Sequence, residues 1–181
     1  MTNDSTRSTD RTFVTDPLER GRHYFRDAIP GIDTGYFGPM WHALAIAQIV
    51  WRDIDDIAAG YGVSGSDIFV LAALLIEEDR SPRPTDLARM LFVTAAAISV
   101  RVAKLSKSGL VERVPAPDDH RTVHLRVTGK GRELTLSAME RIARTCSFAR
   151  ACRDLTATDS TDLETLLRTV HVAMERDFLT A

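Results

Sequence analysis

Apolar residues recur at helical spacing along most of the chain and alternate with polar residues in one short region. The spacing predicts a helix over 18–28, ended by the turn-forming IPGIDTG, and a long amphipathic helix from Phe37 to about Ala58. A third helix is predicted over 67–77 and is stopped by the proline-containing segment 81–84. The expected buried stripe of this third helix is Phe69, Val70, Leu71, Leu74 and Leu75.

Two short helices in close succession are predicted after this stop. Thr85 and Thr94 are each placed to cap one of them, because a threonine hydroxyl accepts a hydrogen bond from a free N–H group at a helix start. Only Phe92 and Val93 separate the two helices, and Gly109 ends the second. This order predicts a helix-turn-helix, whose second helix enters the DNA major groove. The facing apolar residues would be Leu87, Ala88, Leu91, Ile98, Val102 and Leu105.

A short hairpin and two further helices are predicted to follow. LVERV from Leu110 and TVHLRV from Thr122 alternate in polarity around a proline-bounded turn, with Val123, Leu125 and Val127 towards the helices. Thr128 is expected to cap a helix over 129–150, and Asp159 to cap a last helix over 160–178. The fold class is therefore mainly α with a small β-wing, a winged helix-turn-helix.

Composition and charge narrow the function. At 181 residues with 44% hydrophobic and 27% charged residues, one compact domain is expected. The net charge of −2 divides into +7 between Arg80 and Arg132 and −9 elsewhere. A basic lobe on an acidic body is typical of a protein that binds a polyanion with one face, although a solvated basic face gives the same pattern. Residues 1–16 form a polar tail with no signal or membrane-anchor pattern, so a cytoplasmic protein is expected.

Catalytic and metal-binding chemistry is not indicated. Cys146 and Cys152 lie six apart in a helical pattern and are interpreted as free thiols, with redox sensing as the alternative. His120 and His124 lack a further ligand at a useful spacing for zinc. No catalytic triad or glycine-rich phosphate loop is present, so we expect neither an enzyme nor a cofactor or metal.

The segment from about Ser66 to Arg132 resembles the winged helix-turn-helix of the MarR family of bacterial transcription regulators. The resemblance lies in the DLA opening, the recognition helix ISVRVAKL, the strand GLVER, the acidic-then-arginine wing tip and the exit LRVTGKG. IPGIDT before the long helix is similar to the subgroup related to PecS and the urate-responsive regulators. The resemblance implies a homodimer, joined by its N- and C-terminal helices, that binds a pseudo-palindromic operator in double-stranded DNA. It also implies a repressor released by a small aromatic or phenolic ligand, with a winged-helix DNA-binding or protein-interaction module lacking an effector as the alternative.

Candidate DNA contacts follow from the recognition helix and the wing. Small residues at the helix start would let its N–H groups approach phosphate, and Arg101 has the fork to read a guanine edge. Arg121 at the wing tip suits a narrow minor groove, with Asp119 fixing the direction of an arginine, and His120 stands where relatives often have another arginine. The alternatives are a salt bridge from Arg101 to a wing aspartate, and a turn-forming role for Asp118 and Asp119. The candidate DNA-binding residues are Thr94, Ala95, Ala96, Ser99, Val100, Arg101, Lys104, His120 and Arg121.

Candidate effector contacts are Phe25, Trp41, His42 and Phe69, with core packing or dimer contact as the alternative for each. Phe25 and Phe69 occupy positions where the urate-responsive relatives carry a tryptophan and an acid, and this departure argues against urate. The predicted organisation is a tail over 1–16, N-terminal dimerisation and effector helices over 17–65, a DNA-binding lobe over 66–128 and C-terminal dimerisation helices over 129–181.

Overall fold

A computed structural model describes residues 15–80, 82–115 and 123–180. Chain contacts divide it into a first unit, Met1–Gln48, and a second unit, Ile49–Ala181. None of the helices in the described ranges is both long and apolar enough to cross a membrane. In chain order the elements are α1 (Thr15–Ala28), α2 (Phe37–Ala59), α3 (Gly65–Ile76), a 3-10 turn (Glu78–Arg80), α4 (Pro84–Met90), α5 (Ala95–Lys107), β1 (Val111–Pro115), β2 (Val123–Val127), α6 (Gly129–Thr145), α7 (Ser147–Arg153) and α8 (Ala157–Thr180).

The first unit contains α1 and the beginning of α2. Leu18 is its buried apolar residue, and the Phe25 and Phe37 rings pack at a centroid distance of 5.4 Å. Arg26 Nη2 donates a hydrogen bond to Thr34 Oγ1 over 3.4 Å, which ties the end of α1 to the turn before α2. The predicted helix boundaries in this region are confirmed to within a few residues.

The core of the second unit joins the helix-turn-helix to the wing. The apolar faces of α3, α4 and α5 pack with β1 and β2, as the helical and alternating patterns predict. Removing these side chains from water supplies the main stabilising term of the lobe. Leu91, expected on the packed face of α4, is only partly buried. The buried members with at most 2% exposure include Leu71, Leu74, Leu87, Ile98, Val102, Leu105, Leu110 and Val111.

The wing is an antiparallel pair in which Val111 lies opposite Val127 and Arg113 opposite Leu125. Leu125 and Val127 are buried and Arg126 is exposed, which confirms the predicted alternation for those residues. Thr128 Oγ1 accepts a hydrogen bond from the Gly131 N–H at 3.1 Å and donates one to the Gly109 carbonyl at 2.8 Å. One predicted cap therefore starts α6 and also ties it to the end of the recognition helix.

Two predicted helix caps are wrong. Thr85 lies inside α4, which begins at Pro84, and the Arg83 N–H donates instead to Asp86 Oδ2 at 3.0 Å. Asp159 lies inside α8; Thr156 is the cap, because its hydroxyl accepts from the Asp159 N–H at 3.1 Å. In both places the cap lies two or three residues upstream of the predicted one. The acid three residues after the cap bonds back to it: Asp86 accepts from the Arg83 N–H, and Asp159 accepts from the Thr156 hydroxyl.

The helix predicted over 129–150 is broken at Cys146, so this prediction is also wrong. Cys146 has φ −58° and ψ 133°, an extended conformation that ends α6 and precedes α7. The Ser147 N–H donates to Asp53 Oδ2 at 2.7 Å, and hydrogen bonds from Ser147 lower the pKa of Asp53. Arg153 donates to the Ala143 and Arg144 carbonyls, which accounts for two acceptors freed at the end of α6. Cys146 is buried and Cys152 half-buried, and both are free thiols.

α2 and α8 each expose several large apolar side chains. On α8, Leu166, Leu167, Val170 and Met174 are each more than half exposed. On α2 the exposed apolar residues are Met40, Trp41, Leu44, Ile46, Ile49 and Trp51. Large contiguous apolar surface on a protein is typical of a site of interaction.

Candidate nucleic-acid interface

The first turn of α5 is exposed and carries small side chains. Thr94 is the N-cap as predicted, and its Oγ1 accepts a hydrogen bond from the Ala97 N–H at 3.2 Å. Ala95 and Ala96 are both exposed. The helix start therefore presents free N–H groups and a positive dipole end with no bulky side chain in front of them, an arrangement that suits an anionic oxygen.

The turn between α4 and α5 is tight and holds a residue in the left-handed region. Phe92 has φ +52°, which is uncommon for a residue with a side chain. Its ring lies 5.1 Å from the His171 ring of α8, at an interplanar angle of 63°. At the other end of α5, Gly109 has φ +71° and follows the Ser108 C-cap, as its predicted role requires. These two backbone positions fix where α5 begins and ends on the lobe.

The outer face of α5 is less basic than its sequence indicates. Val100 is 71% exposed, and the Ser99 hydroxyl donates to the Ala95 carbonyl at 2.9 Å. The side chain of Arg101 is only 33% exposed, and its Nη1 lies 3.8 Å from Asp67 Oδ1. The alternative predicted for Arg101, a salt bridge to a wing aspartate, involves Asp118 or Asp119, which lie outside the described residues. Within the described residues Arg101 pairs with Asp67 on α3.

Asp67 is the centre of the polar network behind α5. Its side chain is 1% exposed, and its Oδ2 accepts hydrogen bonds from Lys104 Nζ at 2.6 Å and from the Ser64 N–H at 3.0 Å. Burial alone would raise the pKa of the Asp67 carboxyl, but the hydrogen bonds from Lys104 and Ser64 and the Lys104 charge outweigh burial and lower that pKa. The carboxylate is therefore ionised at neutral pH and holds a lysine of the recognition helix.

Other cations of the basic segment are also paired inside the protein. Arg126 Nε lies 2.7 Å from Glu112 Oε1 across the wing, and Arg132 forms an ion pair with Glu78. Lys130 Nζ donates to the Ser108 carbonyl at 3.3 Å. Among the described cations of the segment, those in no ion pair are Arg83, Arg89, Lys107, Arg113 and Lys130. The charge available to a polyanion is thus smaller than the sequence total of +7.

The predicted wing-tip residues Asp118, Asp119, His120 and Arg121 lie outside the described residues. The described part of the wing ends at Pro115 and resumes at Val123. Across these ranges no group of three or more histidine, cysteine, aspartate or glutamate side chains could hold a metal ion.

A cavity of about 300 Å³ lies behind the helix-turn-helix within the second unit. The Trp51 and Phe69 rings pack there at a centroid distance of 5.2 Å, and Phe92 also lines the cavity. Arg101 is its cationic lining residue, and Ser66 supplies a hydroxyl. Phe69 is 37% exposed, so its predicted place in a buried stripe is wrong; it faces the cavity side instead.

The predicted effector residues fall in both units. Phe25, Trp41 and His42 belong to the first unit, where Phe25 packs against Tyr24 and Phe37 and the other two are exposed. Phe69 belongs to the second. Sequence reasoning missed Trp51, because a tryptophan on a long amphipathic helix carries no local signal of a cavity. It also missed Asp67, which on sequence alone is an ordinary first-turn acid.

The two-helix unit, its capped second helix and its β-hairpin define a winged helix-turn-helix protein. Residues 61–122 match the sequence model of the MarR family. No curated protein matches the chain.

Solved structures extend the likeness beyond that segment. A mutant of MarR from E. coli complexed with operator DNA is 23% identical, with 81% of this chain and 96% of that chain covered and a TM-score of 0.62. The MepR–DNA complex from S. aureus is 13% identical, with 78% and 99% covered and a TM-score of 0.69. A MarR family transcriptional regulator from Streptomyces coelicolor is 20% identical, with 78% and 96% covered and a TM-score of 0.64.

These structures show that the chain has the fold of MarR-type proteins. Together with the match of residues 61–122 to the family model, they show a winged helix-turn-helix of the MarR type. The family whose model matches these residues consists of transcription regulators and not of enzymes. The relation to the PecS and urate-responsive subgroup stays a prediction.

Proposed function

We propose that the protein is a cytoplasmic, sequence-specific transcription regulator that binds double-stranded DNA with α5 in the major groove. The observation that carries the proposal is the exposed, Thr94-capped start of α5 on a fold shared with two proteins whose structures contain DNA. Ala95 and Ala96 leave that start open to a phosphate. A helix end of this kind in a winged helix-turn-helix has the shape and the dipole direction that DNA docking requires.

Each candidate residue takes a role from its position. Thr94, Ala95 and Ala96 place backbone N–H groups against phosphate, and these contacts set the register of the helix on the duplex. Ser99, Val100 and Arg101 read base edges: the valine contacts a thymine methyl, and the arginine reads a guanine. Lys104 belongs to the same helix and is bound to Asp67. His120 and Arg121 are proposed to reach the minor groove from the wing tip.

A homodimer is proposed because the exposed apolar faces of α2 and α8 need a partner in water. Two copies of α5 would then contact successive major grooves about 34–36 Å apart, which predicts a pseudo-palindromic operator. In this proposal 17–65 and 129–181 carry the dimer contacts and 66–128 carries the DNA-binding lobe, behind a tail over 1–16.

We further propose that the protein is a repressor and that a small aromatic acid releases it from DNA. The cavity offers aromatic walls from Trp51 and Phe69 and a cation from Arg101, which suit a ring bearing a carboxylate or phenolate. Phe25, Trp41 and His42 are the further candidates from the first unit. In this proposal the dimer has one form in which the two α5 helices are spaced to fit successive major grooves and another in which they are not. A ligand that binds the second form more tightly lowers the affinity for DNA, and its differential affinity for the two forms sets the size of that effect.

A mobility-shift titration tests this function on the duplex upstream of the protein's own gene, with a random-sequence competitor. A sharp shift that survives the competitor supports the regulator, and its loss on adding aromatic acids supports the effector. A shift that persists in every such acid favours the alternative, a winged-helix module without effector response. A shift abolished equally by random DNA contradicts sequence-specific binding at that site.

A further inference from the structure

We infer that Asp67 is a positioning residue for DNA reading: its buried carboxylate binds Lys104 and draws Arg101 inward, so that Lys104 orients the recognition helix and does not contact phosphate. The inference rests on the proposed function, since it concerns how α5 reads DNA. Asp67 lies on α3 and acts only through the two cations of α5.

The contacts are asymmetric around the carboxylate. Oδ2 accepts from Lys104 and Ser64, whereas Oδ1 is buried and has no hydrogen-bond partner. Arg101 Nη1 lies 3.8 Å from this second oxygen, beyond hydrogen-bond distance but within ion-pair range. A buried oxygen without a donor is destabilising, so the carboxylate attracts the nearby guanidinium. Arg101 therefore has an inward partner in the absence of DNA and a base edge as its partner when DNA is bound.

If Asp67 had only a structural role, that role would be to cap the start of α3. Ser64 and Asp67 form a capping box at the start of α3, in which the Ser64 Oγ accepts from the Asp67 N–H at 3.2 Å. That cap needs an acceptor at position 67 but no charge, and asparagine supplies the same acceptor. The cap explains neither the Lys104 bond nor the second cation. The negative charge is what joins α3 to α5, 37 residues further along the chain.

The consequence for DNA binding is specific. The Lys104 side chain is 57% exposed, as a phosphate contact would be, yet its Nζ is only 2.6 Å from Asp67 Oδ2. Each phosphate contact contributes about 0.9 to the slope of log affinity against log salt. If Lys104 is bound to Asp67, its removal leaves that slope unchanged and instead loosens the position of α5 and Arg101. Removing Lys104 then lowers the preference for the selected sequence and not the non-specific affinity for DNA.

The test uses the full-length protein and a duplex that the wild type selects from a random-sequence pool, with a scrambled duplex as reference. The readouts are the salt slope on the scrambled duplex and the ratio of the two dissociation constants. We expect Lys104→Met to keep the wild-type slope and to lower the ratio by at least about tenfold, the scale of one bidentate base contact. We expect Asp67→Asn to lower the ratio similarly and to steepen the slope by about 1.8 per dimer, because it frees one Lys104 in each protomer for phosphate. Lys104→Arg keeps the positive charge and should therefore keep the wild-type ratio of the two dissociation constants.

Two controls separate this role from charge loss and from folding. Lys107→Met removes one charge from the last turn of the same helix without touching Asp67, and it should leave the ratio unchanged. Ser64→Ala removes half of the cap and should lower only the free energy of unfolding. If Asp67→Asn fails to fold, Lys104→Met alone decides the question.

Two results would overturn the inference while leaving DNA binding intact. A slope flatter by about 1.8 in the Lys104→Met dimer, with the ratio preserved, would make Lys104 a phosphate contact. A wild-type ratio in both variants would reduce Asp67 to a capping residue. A wild-type protein that selects no duplex would overturn the proposed function together with the inference. This third result is distinguishable from the first two, in which the wild type still binds DNA.

Discussion

Gly131 is the position where adding a single methyl group should disturb the docking of α6 on the wing. It lies in the first turn of α6, where a Cβ atom would collide with the Leu110 carbonyl oxygen and approach Val127 Cγ1 to 2.8 Å. The Leu110 carbonyl accepts the Thr128 N–H at 3.0 Å, so it cannot retreat without breaking the link between α5, β2 and α6. The neighbouring backbone has no flexible atom with which to absorb the contact.

The expected cost of Gly131→Ala follows from two opposing terms. Helix propensity favours alanine over glycine by up to about 1 kcal/mol. Overpacking of a tight site costs about 1–3 kcal/mol and occasionally more. Because the clash involves backbone, we expect the overpacking term to dominate and the midpoint of thermal unfolding to fall by several degrees, at about 2–4 °C per kcal/mol for a chain of this size.

Gly129→Ala is the matched control. Gly129 also lies in the first turn of α6, has no positive φ, and has no atom within 4 Å of an added Cβ. Thermal unfolding of both variants and the wild type should place Gly129→Ala at or slightly above the wild type and Gly131→Ala clearly below it. Equal midpoints for the two variants would refute the described docking of α6 on the wing.

Three further outcomes are expected. Arg101→Ala should reduce the preference for operator over random DNA by about 1–3 kcal/mol in a competition titration, and an unchanged preference would exclude Arg101 as a reader. Trp51→Ala should weaken release by aromatic acids without altering DNA affinity in their absence; equal release by both proteins would remove Trp51 from the effector site. Because the folded pKa of Asp67 is lowered from 3.8, its ionisation stabilises the fold at neutral pH, and this contribution is lost as the pH falls through the folded pKa. The difference in unfolding free energy between wild type and Asp67→Asn should therefore shrink below about pH 3.8, and a difference independent of pH would contradict the ion pair.

Local signals in the sequence were sufficient for the helix-turn-helix and the hairpin. Thr94, Thr128 and Gly109 each sit at a helix boundary that their own chemistry specifies, and the structure confirms all three. The alternation in β2 likewise places Leu125 and Val127 inside. These features depend on neighbours a few residues away, so a periodic pattern and a capping residue specify them.

Features that depend on residues far apart in the chain were either not predicted from the sequence or predicted wrongly. The helix break at Cys146 is not marked by a glycine or a proline in the sequence. It is stabilised by the Asp53 carboxylate, which accepts a hydrogen bond from the Ser147 N–H, 94 residues further along the chain. Asp67 pairs with Lys104 across 37 residues, and no pattern along the chain specifies that pair. Counting charges within the segment also overstated the basic face, because Lys104 and Arg132 pair with Asp67 and Glu78, two acids that lie outside the segment.

The central claim, specific binding of DNA by α5, is tested most directly by the salt dependence of the affinity for a selected operator duplex. A dimer that makes six to ten phosphate contacts should lose about 10³–10⁵ in affinity between 50 and 200 mM salt, while retaining its preference over random DNA. A log–log slope near zero, or a preference that disappears at every salt concentration, would contradict the account.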